Sequence, residues 1–180
     1  MRPPVARLPI VGVMGSAAEE HAALAEAAGR VIARLGCHLL TGGAGGVMRA
    51  ASRAFVAEPG RRGQCIGILR AGVEPNEFVE IPIRTHLSLS GDRGTDPLSR
   101  NHVNVLTADV VVVLPGGAGT RSELELAVRY GRPVVVFIGS EEVDDLNAAK
   151  VAARFRDSVE LRGDAAGLEA IVAALLRAGT

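Results

Sequence analysis

Apolar residues along this chain form short unbroken runs, separated by stretches where they recur at helical spacing. "PIVGVMGS" (9–16), "CHLLT" (37–41), "QCIGIL" (64–69), "DVVVVL" (109–114) and "RPVVVFIG" (132–139) are such runs. Their length and their Val and Ile content predict strands buried on both faces. "AEEHAALAEAAGRVIARLG" (18–36) and "VMRAASRAFVAE" (47–58) carry the helical period, the first closing on Gly36 and the second on Pro59-Gly60. "EFVEIPI" (77–83) predicts a fourth strand, and "RTHLSLSGDRGTDP" (84–97) after it is polar and aperiodic, as a mobile loop is. Further helices are predicted at 98–108, from Arg121 to Tyr130, at 143–155 and at 167–179, with a short strand "SVEL" at 158–161. Continuously apolar strands alternating with helices specify a Rossmann-like, doubly wound parallel α/β sheet with helices on both faces. We expect a single domain spanning residues 1–180.

Composition narrows the class of function. Twenty basic residues balance twenty acidic ones, Trp is absent and Tyr130 is the lone Tyr, so neither an electrostatic footprint nor a stacking platform for nucleic acid is apparent. No apolar run approaches a membrane span. The opening "MRPPVARLPIVGVMG" is broken by Pro and runs straight into the first strand, unlike a secretory signal. A cytoplasmic location is the expectation that follows. Cys37 and Cys65 sit beside strand residues and read as reduced core residues. The four histidines have no metal-ligand spacing, and no metal site is expected.

Ligands of open parallel sheets sit beyond the carboxyl ends of the strands, where glycine admits the backbone and helix N-termini offer N–H groups to anions. Three strand ends carry such turns: Gly15-Ser16, Gly42-Gly43-Ala44-Gly45-Gly46, and Pro115-Gly116-Gly117-Ala118-Gly119-Thr120. Ser16 either gives a hydroxyl to the ligand or caps the following helix. No lysine lies near any turn, which excludes a P-loop, and "GSAAEE" lacks the dinucleotide fingerprint. A ligand with a single phosphate remains, seated on Gly116, Gly117, Gly119 and Thr120. Glu123 has two readings, since Thr120-Arg121-Ser122-Glu123 has the spacing of a helix capping box and also places a carboxylate beside the phosphate turn.

"LTGGAGGVMRAAS", "LSRN" and "PGGAGTRSE", in this order, resemble the LONELY GUY (LOG) or lysine decarboxylase-like family over roughly residues 9 to 140. That resemblance implies a phosphoribohydrolase, which frees base and ribose 5-phosphate from an AMP-like nucleotide without a cofactor. It implies Glu123 and Arg100 as catalytic residues, phosphate on the glycine-threonine turn, and a homo-oligomer, dimer or tetramer. Where LOG proteins follow the arginine with lysine and soon a methionine, this chain has Asn101, a further candidate ligand-binding residue, then His102, Val103 and Asn104. The Arg-Asn version is more similar to a sister branch of nucleotide-binding proteins that includes the molybdenum cofactor carriers. The alternative function is therefore a non-catalytic carrier with that cofactor or a nucleotide as cargo. Lysine decarboxylation needs a lysine at the site, and Lys150 is in a helix away from every turn.

Overall fold

A computed structural model describes residues 7–155 and 158–179. Residues 1–6, which open the stretch read above as unlike a secretory signal, lie outside the described residues. The chain runs β1 (Ile10–Met14), α1 (Ala22–Arg34), β2 (His38–Thr41), α2 (Gly46–Ala57), β3 (Cys65–Leu69), β4 (Ile81–Arg84), α3 (Asn101–Thr107), β5 (Val110–Val113) and α4 (Ala118–Arg129). It continues through β6 (Val134–Phe137), a small hairpin of β7 (Glu142–Val143) and β8 (Leu146–Asn147), α5 (Ala148–Phe155), β9 (Val159–Arg162) and α6 (Ala165–Ala178).

Seven strands form one sheet in the order β4-β3-β2-β1-β5-β6-β9, and every pairing in it is parallel. The period of two in a strand explains the apolar runs. Val110 and Val112 face one core with α1, α2 and α6, whereas Val111 and Val113 face the other with α3, α4 and α5. Both faces are covered, so a strand such as "VVVV" has no solvent side on which to place a polar residue. The edge strands β4 and β9 are the exceptions, each partly exposed, and β4 carries Pro82, whose missing N–H costs nothing at an unpaired edge.

The strand order fixes where a ligand can sit. β1 pairs with β2 on one side and β5 on the other, so the winding reverses between them and the loops after β1 and β5 diverge to opposite faces. A crevice opens there. No helix among the described residues is long and apolar enough to cross a membrane.

Several expected elements are redrawn, among them the helix expected at 98–108, which begins at Asn101, and that expected at 167–179, which begins at Ala165. The fourth strand begins at Ile81 rather than residue 77, because Asn76 accepts from the Phe78 N–H and turns the chain there. The helix expected at 143–155 begins at Ala148, since residues 142–147 pair as the β7–β8 hairpin. α4 begins at Ala118, three residues earlier than its apolar period suggests.

α1 and α2 meet closely at Gly29, where a Cβ would stand 2.2 Å from the Ala51 carbonyl oxygen of α2. Gly29→Ala should gain about 1 kcal/mol of helix propensity, but overpacking costs about 1–3 kcal/mol, and here it meets backbone rather than a movable side chain. We expect a net loss of stability by urea denaturation. An unchanged or higher midpoint would show that the two helices are not in backbone contact.

Candidate functional site

The turns after β1, β2 and β5 converge through one residue. The Ser16 N–H donates to Pro115 O at 3.0 Å, and Ser16 O accepts from the Val47 N–H at 2.9 Å. Ser16 is thereby bonded to the turn after β5 and to the first turn of α2. Its hydroxyl accepts from the Ala18 and Glu19 N–H groups at 3.2 and 3.0 Å. It therefore organises the loop rather than capping α1, which starts at Ala22.

Above this junction lies a cleft of about 330 Å³. Of the residues expected at the site, Gly15, Ser16, Gly42, Arg100 and Asn101 line it, joined by Gly117, Gly119, Thr120 and Glu123 from the α4 side. Gly43, Gly45 and Gly116, also expected there, are not among the lining residues. Gly43 O is taken by the Asn76 backbone and side-chain N–H groups, and Gly45 precedes α2 against Ala17 O. Gly116 N–H, expected to hold phosphate, instead donates to Glu142 O at 3.2 Å, and Gly116 O accepts from Asp144 N–H. The hairpin thus clamps the turn from behind, aided by the Arg121–Asp144 ion pair.

With Gly117 as N-cap, no side chain caps α4. Its first-turn N–H groups have no intrahelical acceptor and carry the positive end of the helix dipole. A Cβ on Gly117 would meet nothing within 4 Å, and one on Gly119 nothing closer than 3.7 Å, so this end faces open space. That is the geometry of an anion cradle.

The early start of α4 also removes the capping-box reading. Thr120 is inside the first turn, and Glu123 is in the second, 7% exposed, with Oε1 accepting from Asn104 Nδ2 at 2.8 Å. Burial pushes the Glu123 carboxyl above the ordinary carboxylate range, opposed by the Arg100 charge and the Asn104 hydrogen bond. Arg100 is 8% exposed and donates from an Nη to Ile68 O at 2.9 Å. Burial lowers its affinity for a proton, the Glu123 carboxylate raises it, and the neighbouring Arg70 lowers it. The guanidinium lies so close over Gly42 that a Cβ there would be 2.2 Å from it. Glycine at position 42 is what lets Arg100 enter. Two buried atoms, Arg100 Nε and Asn104 Oδ1, have no hydrogen-bond partner.

Asn101 plays a different part. Its Nδ2 donates to Ser122 Oγ at 2.8 Å, and Ser122 donates to Gly119 O at 2.7 Å, which ties α3 to the start of α4. Arg84 and Arg93, of the loop read as mobile, pair with Glu74 and Asp96 and are not aimed at the cleft. Ser90 and Gly91 of that loop do line it. Arg70, directly after β3, is a lining residue that sequence reasoning missed. The strand-end rule applied to "QCIGILR" would have found it, but that strand end has no glycine to draw attention.

Residues 8–161 match the model of the SLOG cluster4 family. The molybdenum cofactor binding protein of Rippkaea orientalis is 31% identical, with a TM-score of 0.76 over 94% of this chain and 98% of that one. The molybdenum cofactor carrier protein of Chlamydomonas reinhardtii is 32% identical, also at 0.76, over 95% and 99%. An uncharacterized protein of Archaeoglobus fulgidus is 32% identical over 127 residues, which is 69% of this chain and 76% of its own. With a match that spans all seven strands of the parallel sheet except the last residue of β9, this chain belongs to the SLOG cluster4 family.

Proposed function

We propose that the cleft holds a small molecule bearing one phosphate, and that the protein serves as its carrier, with the molybdenum cofactor as the cargo class. The observation that carries the binding role is the uncapped amino end of α4 facing an open cleft. Phosphate on the N–H groups of Gly117, Gly119 and Thr120 gains both hydrogen bonds and the helix dipole. The carrier role is supported by likeness along nearly the whole length of two molybdenum cofactor proteins, and the Arg100-Asn101 pair resembles the carrier branch. A homo-oligomer belongs to the same proposal, and Leu98, Leu106 and Tyr130 give it exposed apolar surface.

A second reading is favoured by one observation. Glu123 and Arg100 line the same cleft, as a LOG-type phosphoribohydrolase acting on an AMP-like nucleotide would require. A carboxylate stabilises the positive charge that develops on ribose when an N-glycosidic bond breaks, or activates water against it. Burial works against this, because it biases the carboxyl toward its neutral form, which does neither.

Glu123→Gln separates the two. Glutamine keeps the acceptor for Asn104 Nδ2 and removes the titratable group, so the variant folds, and under the carrier reading it retains cargo. The burial-raised acid costs stability that appears as pH rises above the unfolded-state value and is absent below it. Glu123→Gln should therefore melt higher than the wild type at pH 7.5, with the gain shrinking toward pH 4.5. Release of ribose 5-phosphate from AMP by the wild type, abolished in the variant, would replace the carrier reading with the hydrolase.

Gly117→Asp tests the phosphate seat itself. Asp is a good N-cap, and there is room for it, so α4 should be stabilised by about a few tenths of a kcal/mol. Its carboxylate would occupy and repel the phosphate position. We expect cargo, followed by mass spectrometry of the purified protein, to be lost while the melting temperature holds or rises. Retained cargo would place the phosphate elsewhere.

A further inference from the structure

Arg70 is left without a carboxylate partner in a molecule that pairs most of its arginines. Arg49, Arg53, Arg61, Arg84, Arg93 and Arg121 each have an acidic partner. Arg70, half-buried in the cleft wall, donates only to the neutral Ser90 Oγ at 2.9 Å, and no salt bridge among the described residues includes it. It is near enough to Arg100 for the two charges to repel. Arg100, more than nine-tenths buried, contributes the unpartnered Nε to the same region. The one acidic group lining the cleft is Glu123, which burial biases toward its neutral form. Two guanidinium groups thus share a partly dehydrated wall in which Glu123 is the one acidic group, an excess of positive charge that a bound anion offsets.

Their positions separate this charge from the phosphate cradle. The cradle follows β5, whereas Arg70 follows β3, and β1 and β2 lie between them. The roots of the two features are three strand spacings apart, roughly 14 Å. Arg70 reaches back toward the cleft and meets Ser90, which with Gly91 forms the wall facing Gly119. A ligand running along the carboxyl edge from α4 would pass Glu123 and Arg100 and end at Arg70.

We propose that Arg70, supported by Ser90 and Arg100, is a second anion subsite, and that the ligand is doubly anionic, with phosphate at one end and a second oxyanion or comparably charged group at the other. The inference rests on the reading of the α4 amino end as the phosphate seat. Arg70 then sets selectivity, favouring doubly anionic molecules over those that carry phosphate alone. A guanidinium suits this because its planar fork meets two oxygens at once.

The test compares two probes on the full chain by calorimetry, ribose 5-phosphate and ribose 1,5-bisphosphate, for wild type, Arg70→Gln and Arg70→Lys. The wild type should bind the bisphosphate at least tenfold more tightly than the monophosphate. Arg70→Gln should bring that ratio close to one, and Arg70→Lys should restore part of it, with neither variant melting below the wild type in the absence of probe. A wild-type ratio near one, or an Arg70→Gln variant that weakens both probes equally, overturns the second subsite. In that case monophosphate binding that is lost in Gly117→Asp leaves the phosphate seat standing. Bisphosphate binding that depends on Arg70 but survives Gly117→Asp supports the Arg70 subsite and overturns the seat. Failure of the wild type to bind either probe overturns both.

Discussion

The two backbone hydrogen bonds of Ser16 are the constraint on which the site depends. Its N–H is committed to the turn after β5 and its C=O to the first turn of α2. A cleft walled by three separate loops would otherwise vary with each of them. The junction is possible because β1 lies at the reversal of winding, with β2 and β5 as its neighbours, so one short turn touches both flanking crossovers. Gly15 reinforces it, since a Cβ there would stand 2.6 Å from the Val47 side chain. A rigid sheet edge is what an anion cradle needs, because preorganised N–H groups spend no free energy on alignment when the ligand arrives.

Most of the architecture was legible in the sequence because it depends on patterns of repeated residues. Buried parallel strands must be apolar on both faces, and "DVVVVL" and "RPVVVFIG" are. The glycine turns pointed to the edge of the sheet for an equally general reason. What escaped depends on single tertiary contacts. Residues 142–147 carry apolar residues compatible with helical spacing, yet they pair with one another and with Gly116, because that turn needed a partner for its N–H. The T-x-x-E spacing suggested a cap, but Gly117 opens the helix and leaves Glu123 a turn deeper. Spacing cannot tell these apart, since both helices would show the same apolar face. Arg70 was missed because a cation after a strand has no sequence mark of being unpaired.

The polar cluster beneath the cleft is incomplete. Glu123 has Asn104, and Arg100 has Ile68 O, but Arg100 Nε and Asn104 Oδ1 have nothing. A half-satisfied buried network is less stable than either an apolar core or a complete network. Cores that merely need filling do not retain such groups, so the cost is better explained by ligand recognition than by folding. Gly42 supports this view, since its missing side chain leaves the space that the Arg100 guanidinium occupies.

Carrier and hydrolase can share this arrangement because the difference between them is the charge on one group. In the proposed complex, a phosphate at the amino end of α4 would bring negative charge near Glu123, and a like charge disfavours ionisation of an acid that burial already biases toward its neutral form. Arg100 opposes the effect, but it is itself shared with Ile68 O and repelled by Arg70. A neutral carboxyl offers a hydrogen bond to the bound molecule and has no charge with which to stabilise a developing oxocarbenium ion. In the proposed carrier, phosphate binding and retention of the intact ligand would be consequences of the same electrostatics. For Glu123 to act as a carboxylate in hydrolysis, the Arg100 charge would have to outweigh both the phosphate and the burial of Glu123.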